Sequence, residues 1–443
     1  MILKEISGSL LFKVGFTGLL SLALLIPLTM VSGIVTERES RRAGAVREVS
    51  EKWGFEQVII GPVLTVPYRL YYKDEHNILR TKIENAYFLP DELAINGALR
   101  PELRTRGLYE VVLYRVDDLA LTGRFSFPDP GKLRIPEHDM IWEDACVTVG
   151  IPDTRGISRR AVLAWDRAEI PFLPGVNNSG LYTTGIHAPL KGFSAGRRSY
   201  SFTIRLTLQG SNLLAFVPLG QETTATLTSS WRHPSFTGSY LPASRTITSR
   251  GFAAHWKVSY FGRNFPQQWT DSSRVAPASL PQSNFGVTLY QPVDFYQKCV
   301  RAVKYGFLFI SLTFLAFFMF ELFMKLRIHP LQYLMVGSAL CLFYLLFLSL
   351  SEYMNFVLSY LIACAGVIGM ITGYSVTVLG TRARGGAMAG LLVCLYGYLF
   401  LLLQEQDYTL LLGSVALFAI LGIVMYLTRN IDWYRVSLNG KAE

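Results

Sequence analysis

Apolar and polar positions follow two different patterns along this chain. In LALTGRFSF, apolar side chains recur at Leu119, Leu121, Phe125 and Phe127. In SFTIRLTLQ, Phe202, Ile204, Leu206 and Leu208 alternate with Thr203, Arg205, Thr207 and Gln209. FAAHWKVSY puts Phe252, Ala254, Trp256, Val258 and Tyr260 on one face. A period of two sends successive side chains to opposite faces, one buried and one wet. These segments therefore predict antiparallel strands of a sandwich or barrel rather than βαβ units. NG (96–97), PDPG (128–131) and NNSG (177–180) supply turns between strands. No long helical period interrupts residues 55–295.

The second pattern is the unbroken apolar run, about 20 residues long, that a membrane span requires. Six segments fit: 14–35, 303–324, 331–350, 356–378, 387–403 and 408–427; none lies within 37–302. The first run exceeds the roughly 7–15-residue core of a cleavable signal peptide. It also contains Pro27 and has no A-x-A site, so it reads as an uncleaved anchor. Behind it comes ERESRRAGAVREVSEK, residues 37–52. Its pairs Glu37/Arg41 and Glu48/Lys52 have the i, i+4 spacing of a helix surface, which predicts a charged helical stalk ending at Trp53-Gly54.

The five Lys and Arg of that stalk would, taken alone, suggest the cytoplasmic side. The short loops between spans decide otherwise, because the positive-inside rule is counted over short loops. Lys325 and Arg327, Arg382 and Arg384, and Arg429, Arg435 and Lys441 follow the second, fourth and last spans; SEYMN and QEQD, after the third and fifth, hold no Lys or Arg. The expected arrangement has both termini in the cytoplasm and residues 37–302 on the outer side.

Composition agrees with a chain divided between membrane and water: 51% of the 443 residues are hydrophobic, and the formal net charge is +10. The charge is uneven. Residues 37–186 hold 20 Lys and Arg against 22 Asp and Glu, whereas 187–302 hold 12 against 3. The basic half is either a solvated Arg-rich surface or a face attracted to anionic envelope material such as lipid headgroups or acidic polymer. Nucleic acid is not an expected partner on the outer side of a membrane.

Candidate chemistry is sparse. GFSAG, Gly192–Gly196, satisfies G-x-S-x-G, but that motif needs a strand, a strained elbow and then a helix. Here it leads into the alternating strand after RRSY, which reads against a catalytic Ser194. His138, Asp139, Glu143 and Asp144 cluster in sequence without the spacing of a metal site. No phosphate-binding or dinucleotide fingerprint occurs, so no catalytic, cofactor or metal residue is expected. Glu321, beside Lys325, and Glu352 fall at span ends and read as boundary markers rather than a proton relay. Ala365, Gly369 and Gly373, with Gly386 and Gly390, form small-xxx-small rows suited to close helix contact. Tyr344, Tyr360, Tyr374, Tyr396 and Tyr398 offer packing or interhelical hydrogen bonds. Cys341, Cys364 and Cys394 fall in spans; a Cys146–Cys299 disulfide is open on the outer side but places one partner close to the membrane.

Several blocks are similar to the CreD family of bacterial inner-membrane proteins: WGFEQVIIGPVLTVPY (Trp53–Tyr68), SNLLAFVPLG, WRHPSFTGSYLP (Trp231–Pro242), GFAAHW, FGVTLYQPVDFYQKCVRAVKYGFLFISLTFLAFFMFEL, HPLQYLMVGSALCLFYLLFLSLSE and QEQDYTLLLGSVALFAILGIVMYLTRNIDWY. They run in order over most of the chain. The resemblance implies a protein of the Gram-negative inner membrane, expressed under a two-component regulator and linked to envelope integrity, colicin tolerance and β-lactam response. The outer side is then the periplasm. The family supplies no catalytic residues to carry over.

The expectation is an α+β membrane protein. Residues 1–36 form an N-terminal transmembrane anchor. Residues 37–302 form a periplasmic, sandwich-like antiparallel β domain that begins with the stalk at 37–52, and residues 303–443 form a bundle of five transmembrane helices. Two functions stand beside each other. One is a non-enzymatic protein supporting envelope integrity and stress response, its β domain contacting envelope proteins or anionic components; the other is a transporter or lipid-handling conduit in the bundle, with the β domain as receiver. If WRHPSFTG is a recognition loop, Trp231, His233 and Phe236 are exposed together; if it is a turn, they pack on neighbouring strands.

Overall fold

The computed structural model describes residues 10–176, 183–193, 198–273, 280–291, 295–324, 326, 328–404 and 408–429. It divides into two compact units, one of residues 43–292 and one of residues 1–42 with 293–443.

The first unit is two β-sheets. One runs in the order β13 (Pro234–Gly238), β17 (Phe285–Leu289), β11 (Leu213–Phe216), β1 (Gln57–Lys73), β5 (Cys146–Gly150), β9 (Gly185–Pro189) and β8 (Leu173–Pro174). To β1 it adds β2 (Leu79–Phe88), which pairs with β16 (Gln268–Thr270). The other runs β14 (Ser244–Thr248), β15 (Gly251–Ser259), β12 (Glu222–Ser229), β3 (Glu92–Arg106), β4 (Tyr109–Ser126), β10 (Ser199–Ser211), β6 (Val162–Trp165) and β7 (Ala168–Pro171).

The alternating segments are strands. Along β10, Phe202, Ile204, Leu206 and Leu208 are buried while Ser201 and Arg205 face solvent. Along β15, Phe252, Ala254, Trp256 and Val258 enter the core. Trp256 there meets Phe285 of the facing sheet at 5.7 Å between ring centroids. Tyr260 departs from its expected face and is 43% exposed, because the strand ends at Ser259 and a 3-10 turn over Tyr260–Gly262 rotates it out.

Most pairings are antiparallel, but β1 with β11 and β12 with β3 are parallel. Strand polarity across distant segments is set by the path of the chain, which a local alternation does not encode. The NG pair is also not a turn. Asn96 and Gly97 lie inside β3 at a register shift against β4, and the hairpin reverses at Gly107 instead, where φ is +62°. Asp129 of PDPG does shape a turn, accepting a bond from the Gly131 amide at 3.1 Å. NNSG lies outside the described residues.

The WGFEQ block fixes the start of β1. The Trp53 indole N–H donates to the Tyr114 carbonyl at 3.3 Å, and the Arg104 guanidinium stacks 4.1 Å from the Trp53 ring centroid. Asp153 accepts from the Phe55 amide at 3.1 Å, and the Gln57 side-chain amide donates to the Asp153 carbonyl at 3.0 Å. Gly54 has φ +141°, and a Cβ there would sit 2.8 Å from the Gln209 carbonyl oxygen. This position therefore requires glycine on both counts.

The second unit is helical: α1 (Leu10–Ala23), α2 (Leu25–Trp53), α3 (Phe295–Met324), α4 (Pro330–Ser351), α5 (Phe356–Val378), α6 (Arg382–Gln404) and α7 (Thr409–Thr428). Among the described residues, six helical segments are long and apolar enough to cross a membrane, α1 with α2 counting as one. The break at Leu24 follows from Pro27, which has no N–H and whose ring crowds the carbonyl four residues earlier. Within α2 the ion pairs Glu37–Arg41 (2.6 Å) and Glu48–Lys52 (3.0 Å) are formed.

Leu24, Leu28, Val31 and Val35 are buried, recurring every three or four residues on one helix face. Leu28 packs where Gly306 leaves room, since a Cβ at Gly306 would lie 2.9 Å from its Cδ2; Gly337 does the same for Leu24. The interior of α3–α6 is filled by Phe309, Phe343, Tyr344, Phe347, Tyr360 and Tyr396, all buried. Tyr360 donates to the Tyr396 carbonyl at 2.6 Å and Tyr398 to the Leu412 carbonyl at 2.5 Å. Tyr374 instead faces outward, 38% exposed.

The small-residue rows are not seams within this chain. Ala365, Gly369, Gly373, Gly386 and Gly390 are exposed, and a Cβ at any of those four glycines would meet nothing within 4 Å. The seams run through Gly306 and Gly337 instead. Cys146 is in no disulfide, and Cys146 and Cys299 are both buried.

Candidate functional site

In the β unit, the segment from Trp231 to Gly251 carries the chain from one sheet's edge to the other's. Among the described residues, β13 pairs only with β17, and β14 only with β15. The two edges adjoin, because Phe236 of β13 contacts Phe252 and Trp256 of β15, with ring centroids 5.8 and 5.7 Å apart.

Trp231, His233 and Phe236 are not exposed together. Trp231 is half-buried, its indole N–H donating to the Tyr290 carbonyl at 3.0 Å. Phe236 is half-buried in β13, with the Arg245 guanidinium 5.8 Å from its ring centroid. Only His233 is fully open to solvent.

The exposed side chains of this edge are others: Arg232, Leu241, Arg245, Ile247 and Arg250. Among the described residues, no carboxylate pairs with Arg232, Arg245 or Arg250. One reason is legible in the sequence: between Glu222 and Asp271 there is no Asp or Glu at all, against Arg232, Arg245, Arg250, Lys257 and Arg263. Lys257 reaches back to Glu222 at 2.8 Å.

Arg263 is the exception in that run, being buried. Its guanidinium donates to the carbonyls of Pro218 (3.2 Å) and Leu219 (2.5 Å) and to the Gln267 side chain. Burial pushes its pKa down to about 10, so it stays charged at neutral pH. It acts as a tie between loops rather than as part of the exposed edge.

Other sequence candidates do not assemble into a site. His138 is exposed and lies 3.6 Å from the buried Asp139 carboxylate. Among the described residues, no three His, Cys, Asp or Glu side chains group as metal ligands do. Ser194 lies outside the described residues; β10 is the element that follows the motif, where a hydrolase elbow has a helix.

In the helical unit the two glutamates have partners from the N-terminal helices. Lys13 pairs with Glu321, and the Tyr333 hydroxyl donates to the same carboxylate at 3.2 Å. Arg38 lies 3.7 Å from Glu352, which also accepts from the Tyr296 hydroxyl at 3.3 Å. Both carboxylates are buried, Glu352 by its side chain. Each is neutralised by a base and a phenol, the arrangement that makes a buried carboxylate tolerable. Lys325, expected beside Glu321, lies outside the described residues. Lys13 and Arg38 are 25 residues apart, about 37 Å along an ideal helix. That span reaches across the hydrocarbon core into both interfaces.

Six apolar helices, with a large β unit between the first and the second, define a multi-pass membrane protein. The family model described as Inner membrane protein CreD matches residues 9–434. The chain is 33% identical to Inner membrane protein CreD of Escherichia coli (strain K12) over 424 residues, covering 94% of this chain and 92% of that protein. The chain belongs to the CreD family of inner-membrane proteins.

Proposed function

We propose that this is a non-enzymatic inner-membrane protein that supports envelope integrity under stress. In this reading residues 37–302 lie in the periplasm as an interaction module, residues 1–36 anchor them, and residues 303–443 hold them in the membrane. Both termini are cytoplasmic. The observation that carries it is the exposed edge over residues 231–251, where Arg232, Arg245 and Arg250 stand without carboxylate partners beside Leu241 and Ile247. A cationic, partly apolar surface of this kind suits anionic envelope components or acidic proteins. The aromatic filling of α3–α6 favours an anchor over a conduit. The test is crosslinking in intact cells from photoreactive residues placed along 231–251 and, as a control, along β10. Capture of one defined envelope component from the edge positions alone is expected. Equal capture from both sets, or none from either, overturns the module.

A further inference from the structure

Among the described residues, five strands end the pairing order of the two sheets, and four of those ends contain or finish in proline or are too short to template another strand. β13 contains Pro234, which lacks an N–H. β7 ends at Pro171, β8 has two residues and ends at Pro174, and β16 has three residues, two of them buried. β14 differs. Its five residues, SRTIT, are all exposed, contain no proline and are rich in Thr and Ile, which favour the extended state. Its outer backbone groups have no partner among the described residues. Such an edge is a template for another strand unless something guards it.

The guard and the selectivity lie in the same residues. Arg245 and Ile247 pair in register with Ala254 and Phe252, so they share the inward face of β15, yet both are exposed where the sheet overhangs the core. Arg250 caps the β14–β15 hairpin next to them. Two copies pairing edge to edge in an antiparallel way would bring their Arg245 side chains together with no carboxylate of β14 between them, which is repulsive. A strand carrying a carboxylate opposite Arg245 and an apolar residue opposite Ile247, two positions along, would neutralise the charge and cover the exposed isoleucine.

We propose that β14 is a docking edge for an extended, acidic segment of a partner protein, which adds as a further strand parallel to β14 and presents acid-x-apolar spacing to Arg245 and Ile247. The inference rests on the reading of the β unit as an interaction module and names the partner's chemistry. Backbone bonds along the edge would give affinity, and the charge at Arg245 register and specificity.

The test uses the full-length protein in nanodiscs of zwitterionic lipid and a short fluorescent peptide containing Ser-Glu-Thr-Val-Thr within a threonine-rich strand. A scrambled peptide and a Lys-for-Glu peptide serve as comparisons. Expected is saturable binding of the first peptide, about tenfold weaker for the scrambled one and for Arg245→Glu. The Lys peptide should regain binding to Arg245→Glu, a rescue that also shows this variant to be folded. Thr246→Pro, checked by thermal unfolding, should abolish binding by all peptides. Equal binding of the scrambled peptide would show attraction by charge alone and overturn the strand. Absence of binding would leave Arg245 as edge protection only. Binding of anionic vesicles but of no peptide would assign the edge to lipid. In each of those cases, cellular crosslinks confined to positions 231–251 would still leave the broader module standing, so the two ideas fail separately.

Discussion

Asp153 shows how one side chain couples the head of β1 to the rest of the β unit. Burial pushes its carboxyl pKa up, but the Arg155 side chain and the amides of Phe55 and Arg155 outweigh that and hold it below the usual carboxylate range. A depressed folded-state pKa stabilises the protein above the unfolded value, about 4, and the contribution is lost as pH falls through the folded value. Asp153→Asn should therefore lower the unfolding temperature of the β unit at pH 7, and the gap to the parent should narrow below about pH 4. Circular-dichroism melts across pH would show this; a gap independent of pH would assign the effect to packing. Arg263 makes a different demand, because three acceptors depend on one guanidinium. Arg263→Met should cost about 1–3 kcal/mol in denaturant unfolding, since it strands buried carbonyls. Arg263→Lys should recover only part, lacking the planar fork.

The helices show the same economy at larger size. A side chain at Gly337 would collide with Leu24 and Phe314, whereas one at Gly369 would meet nothing. Gly337→Leu should destabilise the detergent-solubilised protein by about 1–3 kcal/mol, and Gly369→Leu should be close to neutral. If the two behave alike, the seam lies elsewhere. The contrast also marks where sequence reading stops. Spans and alternating strands are legible because their periods are local. A helix apolar on all sides gives no sign of which face is inward, so the rows at Gly369 and Gly390 look as suited to contact as Gly306 and Gly337. The Lys13–Glu321 pair joins residues 308 apart, and no spacing rule reaches that far. The parallel pairing of β12 with β3 is hidden for the same reason. At the β edge, the carboxylate-free run from 223 to 270 is plain in the sequence, while the division between the exposed Arg245 and the buried Arg263 is not. The clamp on each glutamate is open to a double-mutant cycle. Glu321→Gln should cost on the order of 1–3 kcal/mol, and Lys13→Met should add little once the carboxylate is gone.

For the molecule as a whole, every reading of the basic edge depends on which side of the membrane it faces. Arg382, Arg384 and Arg429 follow membrane-spanning helices, and the loop after α4 holds Glu352 and no base. The positive-inside rule predicts that those arginines face the cytoplasm and that residues 43–292 lie on the outer side. The native thiols favour a clean measurement. Cys146 is buried and its pKa is raised, chiefly by that burial, so little thiolate is present to react. Cys299, Cys341 and Cys364 are buried as well, which leaves Cys394 to be replaced by alanine. On that background, Ala45→Cys should be modified by a membrane-impermeant maleimide in intact spheroplasts, and Arg384→Cys only after permeabilisation. Ala45 sits among the charged residues of α2, where five bases within 37–52 would otherwise argue for the cytoplasm. Protection of Ala45→Cys with labelling of Arg384→Cys would reverse the orientation. The edge at β14 would then face the cytoplasm, and its partner would have to be sought there.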